Sequence, residues 1–163
     1  MKIGILADSH DNLDNIRKAV RIFIEADVET VIHAGDFCSP FFFKVVGDLK
    51  ICCSKMYAVF GNNDGDRLLL SQKAGDFCEF RDVVYKLELD DKKLVIMHYP
   101  DVAASLYKSG DFDLVIFGHT HRLVFKKNDR ILLNPGACSG YLTDKATIAI
   151  FNTEDMRMEI FTL

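Results

Sequence analysis

Apolar residues along this chain come in short blocks that stop abruptly at polar clusters, and the reactive residue types gather at those stops. Lys2–Ala7 has strand length and ends at Asp8-Ser9-His10-Asp11-Asn12. Beyond it Leu13, Ile16, Val20, Phe23 and Ile24 recur at helical spacing, with Asp14, Arg17, Lys18, Arg21 and Glu25 on the other side. That spacing predicts an amphipathic helix capped by Asn12 and ending near Asp27. Thr30–Ala34 predicts a second strand, stopping at Gly35-Asp36. Ser39–Leu49 reads as a helix entered through Ser39-Pro40, its Phe41-Phe42-Phe43 run implying deep burial. Lys55–Phe60 predicts a third strand, closing on Gly61-Asn62-Asn63-Asp64-Gly65. Strands and helices alternating over short connections form the pattern of parallel strands with crossover helices.

The second half is richer in strands. Phe77–Phe80, Val83–Leu89 and Lys92–Met97 follow one another, with Asp90-Asp91 as a turn. A helix near Asp101–Tyr107 precedes the strand Phe112–Phe117. Leu123–Lys127 and Arg130–Leu133 join through Asn128-Asp129, and Ala146–Asn152 and Met156–Thr162 come last. These pieces predict a second sheet, mixed or antiparallel. Two sheets packed face to face with helices outside would bury both apolar faces of the strands. With no repeat, linker or low-complexity stretch, residues 1–163 are expected to form one domain.

Composition narrows the class. Apolar residues at 49% and charged residues at 27% exclude a disordered or fibrous chain. The net charge is 20 − 24 = −4 and no Lys/Arg run exceeds two, which argues against an extended nucleic-acid surface. A local contact to one phosphate stays open, because bound cations supply charge that the residue count omits. No apolar run approaches the ~18 residues of a spanning helix, so no membrane is implied. Five cysteines without paired spacing read as small buried hydrophobes in a reduced, cytoplasmic setting.

Open α/β sheets place ligands at the carboxyl ends of their strands. Asp8 and His10 lie two apart after the first strand, so an extended backbone would aim both to one side. Gly118-His119-Thr120-His121 repeats that spacing; Asp36, Asn62 and His98 follow three other strands. Any one histidine is ordinarily a hydrogen-bonded polar residue of surface or core. Seven such groups converging would be costly without an ion to neutralise them. Imidazole, carboxylate and amide oxygen with no thiolate suit Mn2+, Fe2+, Ni2+, Co2+ or Zn2+, and disfavour structural zinc or calcium. A calcium loop with Gly65 at its sixth position would need a carboxylate where Phe60 stands.

Asp8-x-His10, Gly35-Asp36, Gly61-Asn62-Asn63-Asp64, His98 and Gly118-His119-Thr120-His121, in this order and running on to Asn134-Pro135-Gly136, resemble the calcineurin-like metallophosphoesterases. Within that superfamily the chain looks most like the small single-domain bacterial and archaeal phosphodiesterases. The resemblance implies a four-layer α/β/β/α sandwich, two mixed β-sheets flanked by helices. It implies two divalent metal ions, Mn2+ or Ni2+ ahead of Fe, Co or Zn. Asp8, His10 and His121 would hold one ion; Asn62, His98 and His119 the other; Asp36 would bridge them. The implied reaction is hydrolysis of a small phosphodiester by a metal-bound hydroxide, with no side chain as nucleophile. The alternatives are a phosphomonoesterase and a non-catalytic scaffold like the retromer subunit that shares this fold with an impaired metal site. Every expected ligand is present here, which favours an enzyme. Any exposed part of the Phe41–Phe43 run would suit a homo-oligomer.

One position departs from the wider superfamily. Many members carry His after the ligating Asn, as a candidate proton donor to the leaving group; this chain has Asn63. An amide donates a hydrogen bond but delivers no proton near neutral pH. Turnover should then depend steeply on leaving-group acidity, with Asn63 acting in catalysis or only shaping the turn. Asp64 reads as an orienter of the site or as a turn partner. His33 reads as support for the site or as a satisfied core histidine. Asn134-Pro135-Gly136 by itself reads as a turn.

Overall fold

Central strands whose residues are apolar on both faces must be covered on both sides, and here helices cover one side and a second sheet the other. The computed structural model describes residues 1–163. Along the chain run β1 (Lys2–Leu6), α1 (Leu13–Glu25), β2 (Thr30–His33), α2 (Phe42–Val45), β3 (Lys55–Val59), α3 (Arg67–Ala74) and β4 (Cys78–Arg81). Then come β5 (Val84–Leu89), β6 (Lys92–Met97), α4 (Ala103–Ser109), β7 (Leu114–Ile116), β8 (Val124–Lys127), β9 (Ile131–Asn134), β10 (Thr147–Asn152) and β11 (Arg157–Thr162). The first sheet has six strands in the order β11-β10-β1-β2-β3-β4; the second has five, in the order β5-β6-β7-β9-β8. β1 to β4 are parallel and β10 and β11 antiparallel additions. In the second sheet β6, β7 and β9 are parallel between antiparallel edges. Both sheets are mixed, as expected.

Alternation along each strand splits the core into layers. Ile3, Ile5, Ile32 and Val59 of the first sheet meet Leu94, Ile96, Leu114 and Leu133 of the second. The intervening residues Leu6, Val31 and Met56 face Ile16, Val20 and Phe23 of α1 and Phe42 of α2. Beyond the second sheet, Val95, Val115 and Leu132 pack on Ala103 of α4. The result is the four-layer α/β/β/α sandwich. Helix α1 forms where its spacing predicts it, with Asn12 Oδ1 accepting from Asn15 N at 3.2 Å as its cap. Burying a ring such as that of Phe23 contributes about 1.5–3 kcal/mol.

Two helical segments differ from expectation. The helix expected over Ser39–Leu49 is a single turn, α2, followed by a 3-10 turn at Gly47–Ile51. Val45 and Val46 are poor helix formers and Gly47 interrupts the run. Of the three phenylalanines only Phe42 is fully buried, and Phe41 is exposed. Helix α3 has no counterpart in the sequence reading. Its Leu68-Leu69-Leu70 block lacks helical periodicity because only Leu70 and Ala74, one turn apart, reach the core. The signals that mark it are its cap, Asp66 accepting from Leu69 N at 2.9 Å, and Gly75 at φ 54° after its end. No helix is long and apolar enough to cross a membrane.

Candidate metal centre

The loops leaving β1, β2 and β3 of the first sheet meet those leaving β6 and β7 of the second, and all seven anticipated residues lie there. Asp8, His10, Asp36 and His121 each offer one ligating atom, and these atoms lie within 4.8 Å of one another. His10 Nε2 and His121 Nε2 face each other at 3.1 Å. Asp8 Oδ1 is 3.6 Å from His121 Nε2, and Asp36 Oδ2 is 3.6 Å from His10 Nε2. A second group adjoins it. Asn62 Oδ1 is 3.0 Å from His98 Nε2 and 2.8 Å from His119 Nδ1, and His98 Nε2 is 3.5 Å from Asp36 Oδ2. Asp36 is therefore common to both groups.

Backbone conformation aims these side chains. Asp8, His10, Asp36, His119 and His121 all have positive φ, between 41° and 68°. The extended geometry expected to place Asp8 beside His10 is thus not what does so; a left-handed turn is. Such conformations are uncommon outside glycine, though Asp and His tolerate them better than most. They persist only when surrounding contacts enforce them. Those contacts are present. His119 N donates to both Asp8 carboxylate oxygens at 3.2 and 3.1 Å, tying the second sheet's loop to the first sheet's. Asp64 takes neither of its expected roles alone. Its buried carboxylate accepts from Asp36 N (3.1 Å), Gly61 N (2.7 Å) and Cys38 N (2.8 Å), clamping the β2 and β3 loops together.

Other supports are long-range. His33, fully buried, accepts at Nδ1 from Gly35 N (3.1 Å), so its Nε2–H donates to Ser9 Oγ at 2.9 Å. It stacks on Phe37 with centroids 3.6 Å apart, so it is both a satisfied core histidine and a prop for two site loops. Asn134 Nδ2 donates to Gly118 O (2.8 Å) and Thr120 Oγ1 (3.0 Å), bracing the loop of His119 and His121. His98 Nδ1 donates to Ala34 O at 2.8 Å, which orients the ring with Nε2 turned toward Asn62 and Asp36. His10 Nδ1 contacts Cys38 Sγ at 3.2 Å. Sequence reading missed Cys38, Ser9 and the bracing role of Asn134; only Asn134 had a signal, as part of the turn that ends the motif series.

Burial and neighbouring groups set the charge states at the site. Burial pushes the pKa of Asp8 up to about 7, with Asp36 and Asp64 adding to the rise against an opposing His98. Burial also disfavours ionised Asp36, but His98 and the two Asn63 donors outweigh it and hold its carboxyl well below the usual range. Asn63 supplies those bonds through its N to Oδ1 and its Nδ2 to Oδ2, both at 2.8 Å. Burial lowers the pKa of His121, and His10 adds to this; its Nδ1 is buried without a hydrogen-bond partner. His10 Nε2 and His121 Nε2, 3.1 Å apart, share either a proton or a cation, and with the Asp8 and Asp36 carboxylates beside them they form a compact nitrogen and oxygen donor set. The nitrogen and oxygen donors therefore fit divalent cations, and none is a thiolate.

The layered fold carries this donor set at the carboxyl ends of its inner strands. Residues 1–156 match the calcineurin-like phosphoesterase superfamily domain, and the chain belongs to that superfamily. Phosphodiesterase MJ0936 of Methanocaldococcus jannaschii is 46% identical over 159 residues, 94% of each chain. A probable metallophosphoesterase of Methanothermobacter thermautotrophicus is 29% identical over 147 residues, 84% of this chain and 77% of that protein. A solved structure described as a novel archaeal phosphodiesterase superposes with a TM-score of 0.91 at 43% identity, covering 100% of both chains.

Proposed function

We propose that residues 1–163 act as one domain that hydrolyses phosphodiesters at a binuclear centre. Asp8, His10 and His121 would hold one divalent ion and Asn62, His98 and His119 the other, with the Asp36 carboxylate within reach of both groups. The observation that supports this best is the shared position of Asp36, whose Oδ2 lies 3.6 Å from His10 Nε2 and 3.5 Å from His98 Nε2. When bound, two such ions supply Lewis-acid charge and lower the pKa of water. Mn2+ and Ni2+ suit the imidazole and oxygen donors. The chain's own part is orientation. Asn63 holds Asp36 through two hydrogen bonds, His98 is locked by Ala34 O, and exposed His119 leaves the site open to substrate.

No side chain is set up to attack phosphorus. Cys38 is the thiol beside the site, and burial with Asp11 and Asp36 nearby pushes its pKa up to about 12, so it stays protonated at neutral pH. A diester is favoured over a monoester by likeness to the relative named as a phosphodiesterase. With Asn63 unable to deliver a proton, activated leaving groups are turned over best. The test combines metal analysis with release of p-nitrophenol from bis(p-nitrophenyl) phosphate in added Mn2+ or Ni2+. Two ions per chain and diester turnover are expected, with Asp36→Ala losing at least about 100-fold, the order of a lost charge-stabilising contact. A well-loaded sample holding one ion or none would defeat the binuclear reading, and faster monoester turnover would defeat the diester one.

A further inference from the structure

Immediately beside the metal centre lies an apolar pocket that the chemistry above does not use. Val83, Val84, Met97, Tyr99, Asp101 and Val102 line a cavity of about 180 Å3 where β6 gives way to the loop before α4. Its walls are conspicuously wet for their chemistry: Val83 is 66% exposed, Val102 50% and Tyr99 42%. Apolar groups grouped at the surface mark a binding groove more often than scattered ones do. Tyr99 joins this pocket to the site. Its ring centroid is 5.2 Å from that of His98 and 5.0 Å from that of His119, both residues of the second ligand group.

From this continuity we infer that the pocket is the subsite for an uncharged aromatic ester group of the substrate, with Tyr99 as its specificity-determining wall. This rests on the phosphodiesterase reading for the position of the phosphorus. Size fits, since a cavity of roughly 150 Å3 holds a benzene ring. Charge fits as well. The one charged residue of the lining is Asp101, so the pocket repels the phosphate and takes the neutral end of the ester. Tyr99 presents a ring for edge or offset stacking, and the three valines and Met97 supply apolar contact. Met97 and Tyr99 flank His98 in the sequence, so the strand end that offers His98 to the centre also furnishes two walls of the subsite. Substrate length is thereby gauged from the metal site outward.

The experiment compares phenylphosphonate with methylphosphonate, whose anionic ends are alike, for binding to the metal-loaded protein by calorimetry. The phenyl compound is expected to bind at least about tenfold more tightly, the scale of burying one ring. That preference should fall to within about twofold in Tyr99→Ala and in Val102→Asp and persist in Tyr99→Phe. Both altered positions are well exposed, so loss of folding is not expected, and an unchanged melting curve checks it. In turnover of bis(p-nitrophenyl) phosphate, Tyr99→Ala should raise KM more than it lowers kcat, the signature of lost uniform binding. Equal binding of the two phosphonates by the wild type, or a phenyl preference that survives both variants, overturns the subsite. Wild-type protein that turns over no diester overturns the proposed function instead, while the binding comparison still decides the subsite.

Discussion

Asp8 shows what one buried side chain does to stability. With no ion beside it, burial raises its pKa from 3.8 to about 7, so between these values the folded chain holds a proton that the unfolded chain has lost. The stabilisation from this group is complete below pH 3.8 and disappears as pH rises through about 7. His33 works in the opposite sense, because burial holds its pKa well below 6.5 and its contribution is lost as pH falls. Asp8→Asn separates the two. In chelator-treated protein, urea denaturation should show Asp8→Asn gaining about 2–3 kcal/mol over wild type on going from pH 5 to pH 8. A difference that stays flat across that range would contradict a raised Asp8. Asn63 is the second residue whose identity matters. Its amide is spent on Asp36, with no acidic proton to give, so rates across aryl diesters should climb steeply with leaving-group acidity. Asn63→His should flatten that slope, measured where chemistry limits the rate; a wild-type slope that is already flat would remove Asn63 from the account.

At the scale of elements, strands were readable and their supports were not. Each strand of the site announces itself by an apolar block ending at a ligand-type residue, as Thr30–His33 does before Asp36. What the chain does between such ends depends on partners distant in sequence. Asp64 in an Asn-Asp-Gly run looks like a turn residue, yet its oxygens bind amides 28 and 26 residues away. Helix α3 leaves no periodic signal because one turn of it touches the core, and the Ser39–Leu49 segment breaks into two short turns because propensity is weak beside packing. The β2 and β3 loops are nevertheless tightly specified. A Cβ on Gly61 would come within 2.6 Å of Asp36 N and collide with its carboxylate. Gly61→Ala should therefore displace Asp36 and cost activity by at least about 100-fold, comparable to losing the carboxylate itself. Asp64→Ala strands three amides and should cost about 2–4 kcal/mol in urea denaturation, with weaker ion binding by calorimetry. Near-normal ion affinity in either variant would show that the loops hold Asp36 without this clamp.

Over the whole molecule, the centre is one place where polar groups fasten the two sheets to each other. Asp8, His10 and Asp36 come from the first sheet's loops, and His98, His119 and His121 from the second's, with His119 N on Asp8 as a direct protein link. At the opposite end the Met1 amino group and Thr153 Oγ1 bind Asp90 of the β5–β6 turn, and between the two ends the sheets meet through apolar side chains such as Ile5 and Ile96, which resist separation but specify little direction. An ion ligated from both sides adds a directional tie that the unfolded chain cannot reproduce. At a free concentration 100 times Kd, each site adds about 2.7 kcal/mol. For a chain of this size each kcal/mol moves Tm by about 2–4 °C, so under the binuclear proposal two filled sites should raise it by roughly 10–20 °C over the chelated protein. The variants divide that rise. His121→Ala and His119→Ala should each keep about half of it, whereas Asp36→Ala, which touches both groups, should keep almost none. A metal-induced rise in Asp36→Ala as large as that of the wild type would mean the ions, if bound, do not share this carboxylate, and the joined-sheet account would fall with it.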